Sequence, residues 1–435
     1  TMKLFGVAGR PILHSLSPEI HRALYARFGV DAAYLRVRAD GPEDILTLMR
    51  EAGFKGMNAT SPFKESLFPL LDRLDDSAVS TGAVNTILAG TGGLRGFNTD
   101  TRGIAEALKK SGIPLRRERV LVLGAGGAGR AAVRAMQAEN AFVTVINRGK
   151  EKTELLAESM GCASLPWEEL PAALSGLRLL INTIPASPAL FPIDRLRPGT
   201  TILDADYRNA PLEAAARDRG CRYIPGTEWL LRQGVAAFLL MNGLRPEEAP
   251  LPEEDFLPGL SARVPEKKKG IVLVGFMGSG KTTIGRRLAE SLSYAFLDTD
   301  EWIEEREQMT VSEIFARRGE ARFRALEREA VGRFTGVESL VLSCGGGAVC
   351  DPASRAEMKR HGWVVWLYTP LARTAERIKN GSRPLWQDRR EDLLRLFTER
   401  KTAYALTADL VAFNIKHVQE TADDIRSEID PFLAP

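Results

Sequence analysis

Cysteine is scarce in this chain. Its 435 residues hold four, Cys162, Cys221, Cys344 and Cys350, and no two of them form a Cys-x-x-Cys pair. That argues against a disulfide framework and a zinc site, and for a reduced, cytoplasmic setting. Histidine is as rare, and His14, His21, His361 and His417 lack a metal-ligand spacing such as His-Glu-x-x-His. No apolar run reaches membrane-spanning length, and the first residues lead straight into a strand-like segment, so neither a membrane span nor a signal peptide is expected. Charge of one sign is missing too. Lys and Arg number 59 against 56 Asp and Glu, a net charge of +3, which gives no case for nucleic acid or a membrane surface as partner. What remains is an ordinary globular profile, 44% hydrophobic and 26% charged, on a chain too long for one core.

Proline, by contrast, gathers in one place. The stretch PEEAPLPEEDFLPGL at 246–260 repeats proline every few positions around Glu253, Glu254 and Asp255, and Pro265 and a lysine triplet follow. Proline blocks helix continuation and like charges repel, so residues 246–266 are expected to form a semi-extended connector. Such a connector predicts two halves that work independently.

Before the connector, short apolar runs alternate with helix-period segments, an α/β layout. KLFGVAG, AAYLRVRA and GFKGMNAT are strand-like, and residues 17–28 and 42–52 are helical, the first opened by Ser17 as a cap and Pro18. The strongest local signal is RVLVLGAGGAGRAAVRAMQ. A strand, Val120–Leu123, meets Gly124, Gly126, Gly127, Ala128 and Gly129, and a helix opens directly after. Glycines at this spacing let a pyrophosphate approach the backbone and the helix N-terminus, so a Rossmann dinucleotide domain is expected. The next strand, Phe142–Asn147, ends without the Asp or Glu that favours NAD. Asn147, Arg148, Lys150 and Lys152 stand there instead, and a guanidinium suits the 2′-phosphate of NADP. Small hydroxyls, amides, one Lys and one Asp cluster in HSLSP, GMNATSPFKE, TGAVNTI and GFNTDTRG, a set fitted to bind a polyol and move one proton.

With GAGGAGRA, the Asn-Arg pair and the helix GTEWLLRQGVAAF, these motifs make residues 1–245 resemble the shikimate dehydrogenase family. The resemblance implies reversible reduction of 3-dehydroshikimate by NADPH, with Lys64 and Asp100 as the catalytic pair. It places Ser15, Ser17, Asn58, Thr60, Asn85, Tyr207 and Gln233 on the substrate, and Gly124, Gly126, Gly127, Ala128, Gly129, Asn147, Arg148 and Lys152 on the cofactor. Ala59, Ser61 and Thr101 depart from the family pattern but remove no catalytic group.

After the connector, GIVLVGFMGSGKTTIGRRLAE is a strand, a Gly275-x-x-x-x-Gly280-Lys281-Thr282 loop and a helix, a Walker A phosphate loop. Its presence predicts a doubly wound parallel sheet of nucleoside-monophosphate-kinase type. FLDTDEWIEE is expected to end a strand on Asp298 and Asp300, at alternate positions facing different ways, one for a metal and one for the acceptor. Arg324 and Arg400 on helices could converge on a carboxylate, and Gly345, Gly346 and Gly347 leave backbone open to a ligand ring. These residues in this order resemble shikimate kinase over 268–435. The resemblance assigns Gly278, Ser279, Gly280, Lys281, Thr282 and Thr283 to ATP, Thr282 and Asp298 to Mg²⁺, and Asp300, Arg324, Gly345, Gly346, Gly347 and Arg400 to shikimate. It also gives Lys281 and Arg383 to the transferring phosphates and Arg377 to adenine.

The whole chain then divides into a dehydrogenase substrate domain at 1–103 completed by helices near 227–245, a Rossmann domain at 104–226, the linker at 246–266 and a kinase domain at 267–435. The expected function is two consecutive steps of aromatic biosynthesis. Two alternatives stay open at this point: a quinate/shikimate dehydrogenase joined to a kinase for another small hydroxy acid, and a ligand-sensing protein without turnover.

Overall fold

A computed structural model describes residues 2–185, 191–207, 212–245, 267–379 and 390–434. The linker at 246–266 and Arg383 lie outside the described residues. The chain falls into two compact units, one of Thr1–Pro18, Asp31–Lys55 and Val264–Pro435, the other of Glu19–Val30 and Gly56–Arg263. Among the described residues no helix is long and apolar enough to cross a membrane.

The first unit is built on a parallel sheet. Its strands run in the order Ala295–Asp298, Leu340–Ser343, Ile271–Val274, Trp363–Tyr368, Leu410–Phe413, Ala32–Arg38 and Lys3–Gly9. Ile271–Val274, Trp363–Tyr368 and Leu410–Phe413 are continuous apolar runs buried at every position, as expected of parallel strands covered on both faces. The phosphate-loop strand lies between Leu340–Ser343 and Trp363–Tyr368, so its carboxyl end opens among the strands that follow the linker. The helix Val311–Phe334 starts at a capping box, in which Thr310 and Glu313 satisfy each other's backbone N–H groups. It breaks at Gly319 (φ 79°), and the segment after the break carries Arg324.

One feature of this unit was not expected. Leu410–Phe413, from the chain after the linker, pairs in parallel with Ala32–Arg38, from the chain before it, in the register Leu410 to Arg36, Val411 to Val37 and Ala412 to Arg38. The linker's composition predicted independent halves. Composition describes the tether, however, and says nothing of whether the joined sheets have matching free edges.

The second unit contains a six-stranded parallel sheet in the order Arg222–Ile224, Thr201–Asp204, Leu179–Asn182, Arg119–Leu123, Phe142–Ile146 and Ala163–Leu165. Its core includes Val120, Val122, Ala132, Met136, Val145 and Ile181, drawn from the strands and from the helix Gly127–Ala138 that follows the glycine turn. Elsewhere in this unit Gly56–Ala59 pairs antiparallel to Thr86–Gly90, and Thr86–Gly90 antiparallel to Gly93–Phe97. The helix Asp100–Lys110 begins three residues after that last strand, and so holds Asp100 at its first position.

Candidate active sites

In the second unit Lys64 and Asp100 meet. Lys64 Nζ lies 2.6 Å from Asp100 Oδ2, with both side chains largely buried. The other carboxylate oxygen, Oδ1, accepts a hydrogen bond from Trp229 Nε1 at 3.1 Å, and the Asp100 N–H donates to Asn98 Oδ1 at 3.0 Å. Beside this pair is an amide and hydroxyl network. Asn85 Oδ1 accepts from the Thr99 N–H at 2.8 Å, and Asn85 Nδ2 donates to Thr99 Oγ1 at 3.0 Å and to Gln233 Oε1 at 3.4 Å. Asn58 Nδ2 donates to the Asn85 carbonyl at 3.1 Å and to Thr86 Oγ1 at 2.9 Å. Asn58, Asn85 and Gln233 are therefore brought together. Tyr207 follows the strand Thr201–Asp204 and is half-buried. In the first unit, Ser15 and Ser17 are both buried, with the Ser17 N–H donating to Ser15 Oγ at 3.3 Å. Arg36 holds the Ser15 carbonyl through two N–H groups, at 3.0 and 2.7 Å.

The glycine turn opens onto Lys64. A cleft of about 330 Å³ is walled by Thr60, Lys64, Gly124, Gly126, Asn147 and Lys152, among others. Gly124 sits at φ +110°, where a side chain would be strained and would strike Thr183. A Cβ on Gly127 would fall 2.8 Å from the Lys64 stem, so the turn can lie this close to the lysine only without side chains. Lys152 Nζ reaches Glu65 Oε1 at 3.7 Å across the rim, and Arg148 is exposed on the adjoining loop.

After the linker the phosphate loop leads into the helix Lys281–Leu292, with Gly280 at its cap. Lys281 Nζ donates to the Gly275 and Phe276 carbonyls at 3.0 and 3.2 Å. Arg377 lies over the same loop, 3.4 Å from the Gly278 carbonyl. Asp298 ends its strand as foreseen, but Asp300 does not share that strand. It lies in the first turn of the helix Thr299–Glu307, which Asp298 caps by accepting from the Asp300 and Glu301 N–H groups. The two carboxylates thus part company through a helix cap and not through strand alternation. Asp298 Oδ2 accepts from Thr282 Oγ1 at 2.7 Å and from Ser343 Oγ at 2.8 Å. A hydroxyl and a carboxylate set side by side at a phosphate loop are hard oxygen donors of the kind magnesium takes.

Asp300, Arg324, Arg400 and Gly345–Gly347 converge. A Cβ on Gly345 would fall 2.6 Å from Asp300 Oδ1 and from Glu327 Oε1, and one on Gly347 would fall 2.3 Å from Arg324 Nη1. Arg400 Nη1 is 3.7 Å from the corresponding point on Gly346, whose carbonyl accepts from Tyr404 OH at 2.6 Å. Arg324 Nη1 donates to Glu327 Oε2 at 2.7 Å. Burial pushes the Glu327 carboxyl above the usual range, against the pull of Arg324. Sequence reasoning passed over Trp229 and Glu327. The first stood inside the helix GTEWLLRQG, and the second stands one helical turn after Arg324, where a partner for a half-buried guanidinium is expected.

One chain thus carries a dinucleotide cleft with an ammonium–carboxylate pair, and a phosphate loop beside an acceptor pocket of two arginines and an aspartate. That is the make-up of an oxidoreductase and a phosphotransferase. Family models place both. The shikimate dehydrogenase substrate binding domain matches residues 7–87, shikimate / quinate 5-dehydrogenase matches 105–200, and shikimate kinase matches 277–430. Among curated proteins, shikimate dehydrogenase (NADP(+)) of Acidiphilium cryptum is 39% identical over 254 residues, covering 56% of this chain and 92% of that protein. The Aquifex aeolicus protein of the same name is 35% identical over 251 residues, covering 55% and 91%. Among solved structures, shikimate 5-dehydrogenase from Thermus thermophilus in complex with NADP(H) and shikimate is 35% identical with a TM-score of 0.53, covering 60% of this chain and all of that one. The chain belongs to the shikimate dehydrogenase family, and it carries a shikimate kinase domain after the dehydrogenase.

Proposed function

We propose that this chain reduces 3-dehydroshikimate to shikimate with NADPH and then phosphorylates shikimate to shikimate 3-phosphate with ATP, in the cytoplasm. The observation that carries the reading is the placement of the Lys64–Asp100 pair against the glycine turn, with Gly127 packed on the lysine stem. Reduction of a ketone leaves an alkoxide that needs a proton, and NADPH supplies the hydride when bound. Lys64 gives the proton from its ammonium group, and Asp100 holds that group in place and balances its charge. Ser15, Ser17, Asn58, Thr60, Asn85, Tyr207 and Gln233 hold the carboxylate and hydroxyls. Asn147, Arg148 and Lys152 take the 2′-phosphate side of the cofactor.

In the kinase half the backbone of Gly278–Thr283 and Lys281 cradle the phosphates of ATP. Thr282 and Asp298 hold Mg²⁺, which neutralises phosphate charge when present. Asp300 orients the acceptor hydroxyl and takes its proton, while Arg324 and Arg400 grip the acceptor carboxylate beside Gly345, Gly346 and Gly347. Arg383, outside the described residues, is assigned to the transferring phosphates and Arg377 to adenine. Residues 1–103 with 227–245, 104–226 and 267–435 form the three working domains, joined by 246–266.

The test is a coupled assay from 3-dehydroshikimate, NADPH and ATP in wild type and Lys64→Ala. Wild type should consume NADPH and yield shikimate 3-phosphate. The variant should lose dehydrogenase turnover by roughly 10²–10⁴-fold, the usual size of one acid–base contribution, with shikimate phosphorylation intact. Near-normal reduction in the variant would refute the role given to Lys64.

A further inference from the structure

We infer that Glu428, on the last long helix of the kinase domain, is a positioning residue for the dehydrogenase: it fixes the backbone that leads into the Ser15–Ser17 loop. The inference rests on the reading of Ser15 and Ser17 as substrate residues.

The helix Val418–Ile429 presents Glu428 with only 2% of its surface exposed. Its Oε2 accepts from the Ile12 N–H at 2.9 Å and from the Leu13 N–H at 3.1 Å. Both donors are buried and neither belongs to a helix or strand, so without Glu428 two main-chain donors would be left unpaired away from water. Burial pushes the Glu428 carboxyl up, while the two N–H groups and Arg38 pull it down. Two residues on, the Ser15 N–H donates to the Ile12 carbonyl at 2.9 Å, so the segment that Glu428 grips is tied directly to Ser15.

The grip is part of a wider seam inside the first compact unit. Beside the pairing of Leu410–Phe413 with Ala32–Arg38, Arg38 Nη2 meets Asp424 Oδ1 at 2.6 Å, and Lys416 Nζ bridges Asp40 at 2.7 Å and Asp424 at 3.1 Å. Arg36, opposite Leu410 in that pairing, is the residue that holds the Ser15 carbonyl. Glu51 accepts from Tyr368 OH and from the Leu371 N–H. Three links therefore run from kinase residues to the loop: Glu428 to Ile12 and Leu13, Leu410 to the strand bearing Arg36, and Asp424 to Arg38 on the same strand.

The experiment uses the full chain. Shikimate oxidation with NADP⁺ and shikimate phosphorylation with ATP are measured on the same preparations of Glu428→Ala, Glu428→Gln and Ser15→Ala. Glu428→Ala should raise the dehydrogenase KM for shikimate about tenfold, as expected for losing a charged acceptor to two N–H groups. The dehydrogenase kcat, the KM for NADP⁺ and both kinase KM values should stay near wild type. Glu428→Gln keeps an acceptor oxygen and should recover most of the loss. An unchanged shikimate KM in Glu428→Ala, or equal damage to both activities, overturns the inference. If Ser15→Ala leaves shikimate KM unchanged, the substrate-loop reading itself fails, which is a different result from a raised KM in Ser15→Ala with none in Glu428→Ala. Should Glu428→Ala not fold, the wild-type chain is nicked at a protease site introduced between Leu251 and Glu266. Separation of the halves on dilution should bring a raised dehydrogenase KM for shikimate. Separation with an unchanged KM overturns the inference.

Discussion

Trp229→Phe isolates one hydrogen bond at the centre of the dehydrogenase site. Asp100 is buried, and its two oxygens have separate tasks: Oδ2 faces the Lys64 ammonium at 2.6 Å and Oδ1 accepts from Trp229 Nε1 at 3.1 Å. Phenylalanine keeps most of the apolar ring and removes the N–H. A hydrogen bond to a charged group contributes about 1.5–3 kcal/mol. Because Lys64 still holds the other oxygen, the lower half of that range applies, about 1.5–2 kcal/mol, or roughly ten- to thirtyfold in rate. The loss should fall on kcat, since a carboxylate free to turn holds the ammonium less well while the proton moves. KM for shikimate should change little, because Asn58, Asn85 and Gln233 are held by their own network. The assay follows NADPH absorbance at saturating and limiting shikimate, with kinase activity as a folding control. An unchanged kcat would reduce Trp229 to a packing residue and refute the argument that it orients Asp100.

Three further outcomes are expected. Arg148→Ala should weaken NADPH about ten- to a hundredfold and NADH much less, because only NADPH carries the 2′-phosphate; equal weakening of both cofactors excludes that contact. Asp300→Asn should nearly abolish phosphorylation while MgATP still binds by calorimetry, since Asp298 and Thr282 keep their own contact at 2.7 Å. Loss of MgATP binding as the main defect would exchange the roles of the two aspartates. Burial holds the His21 imidazole down at about 3. Its folded value is thus below the unfolded value of about 6.5, so the unfolded state holds the extra proton between the two. Stability from this group is full above pH ~6.5 and falls by about 1.4 kcal/mol per unit as the pH drops toward ~3. The urea midpoint of the dehydrogenase transition should therefore fall less between pH 7 and pH 5 in His21→Leu than in wild type. Identical falls would show that His21 is not the group being titrated.

What the sequence made legible was chemistry written into adjacent residues. The two glycine loops were readable because a strand, a turn and a helix follow one another there, and the backbone geometry needs those residue types locally. Lys64 and Asp100 were readable as a pair only through the resemblance, since 36 residues separate them. The assignment of Asp298 and Asp300 to one strand end failed because an aspartate can end a strand and cap the next helix in the same step. Trp229 and Glu428 gave no local signal. Their partners lie 129 and 416 residues away, and a tryptophan or glutamate on a helix is by default a packing or surface residue.

The seam between the halves bears on why they share a chain. Ala32–Arg38 already pairs on one side with Lys3–Gly9, and Leu410–Phe413 with Trp363–Tyr368. Each would otherwise present a free strand edge, and free edges invite pairing with other chains. Charged side chains on an edge are a usual guard against that, and Arg36 and Arg38 stand in this strand. Here both are buried, and their charge is spent on chosen partners: Arg36 on the Ser15 carbonyl, Arg38 on Asp424. The strand pairing itself covers only three residue pairs, far less than a stable association between separate proteins requires. Joining the two segments on one chain supplies an effective concentration on the order of millimolar, enough to keep so short a seam filled. The linker need not guide shikimate from one site to the other to matter. By keeping the seam closed it keeps Glu428 on Ile12 and Leu13, the backbone that leads into the Ser15–Ser17 loop.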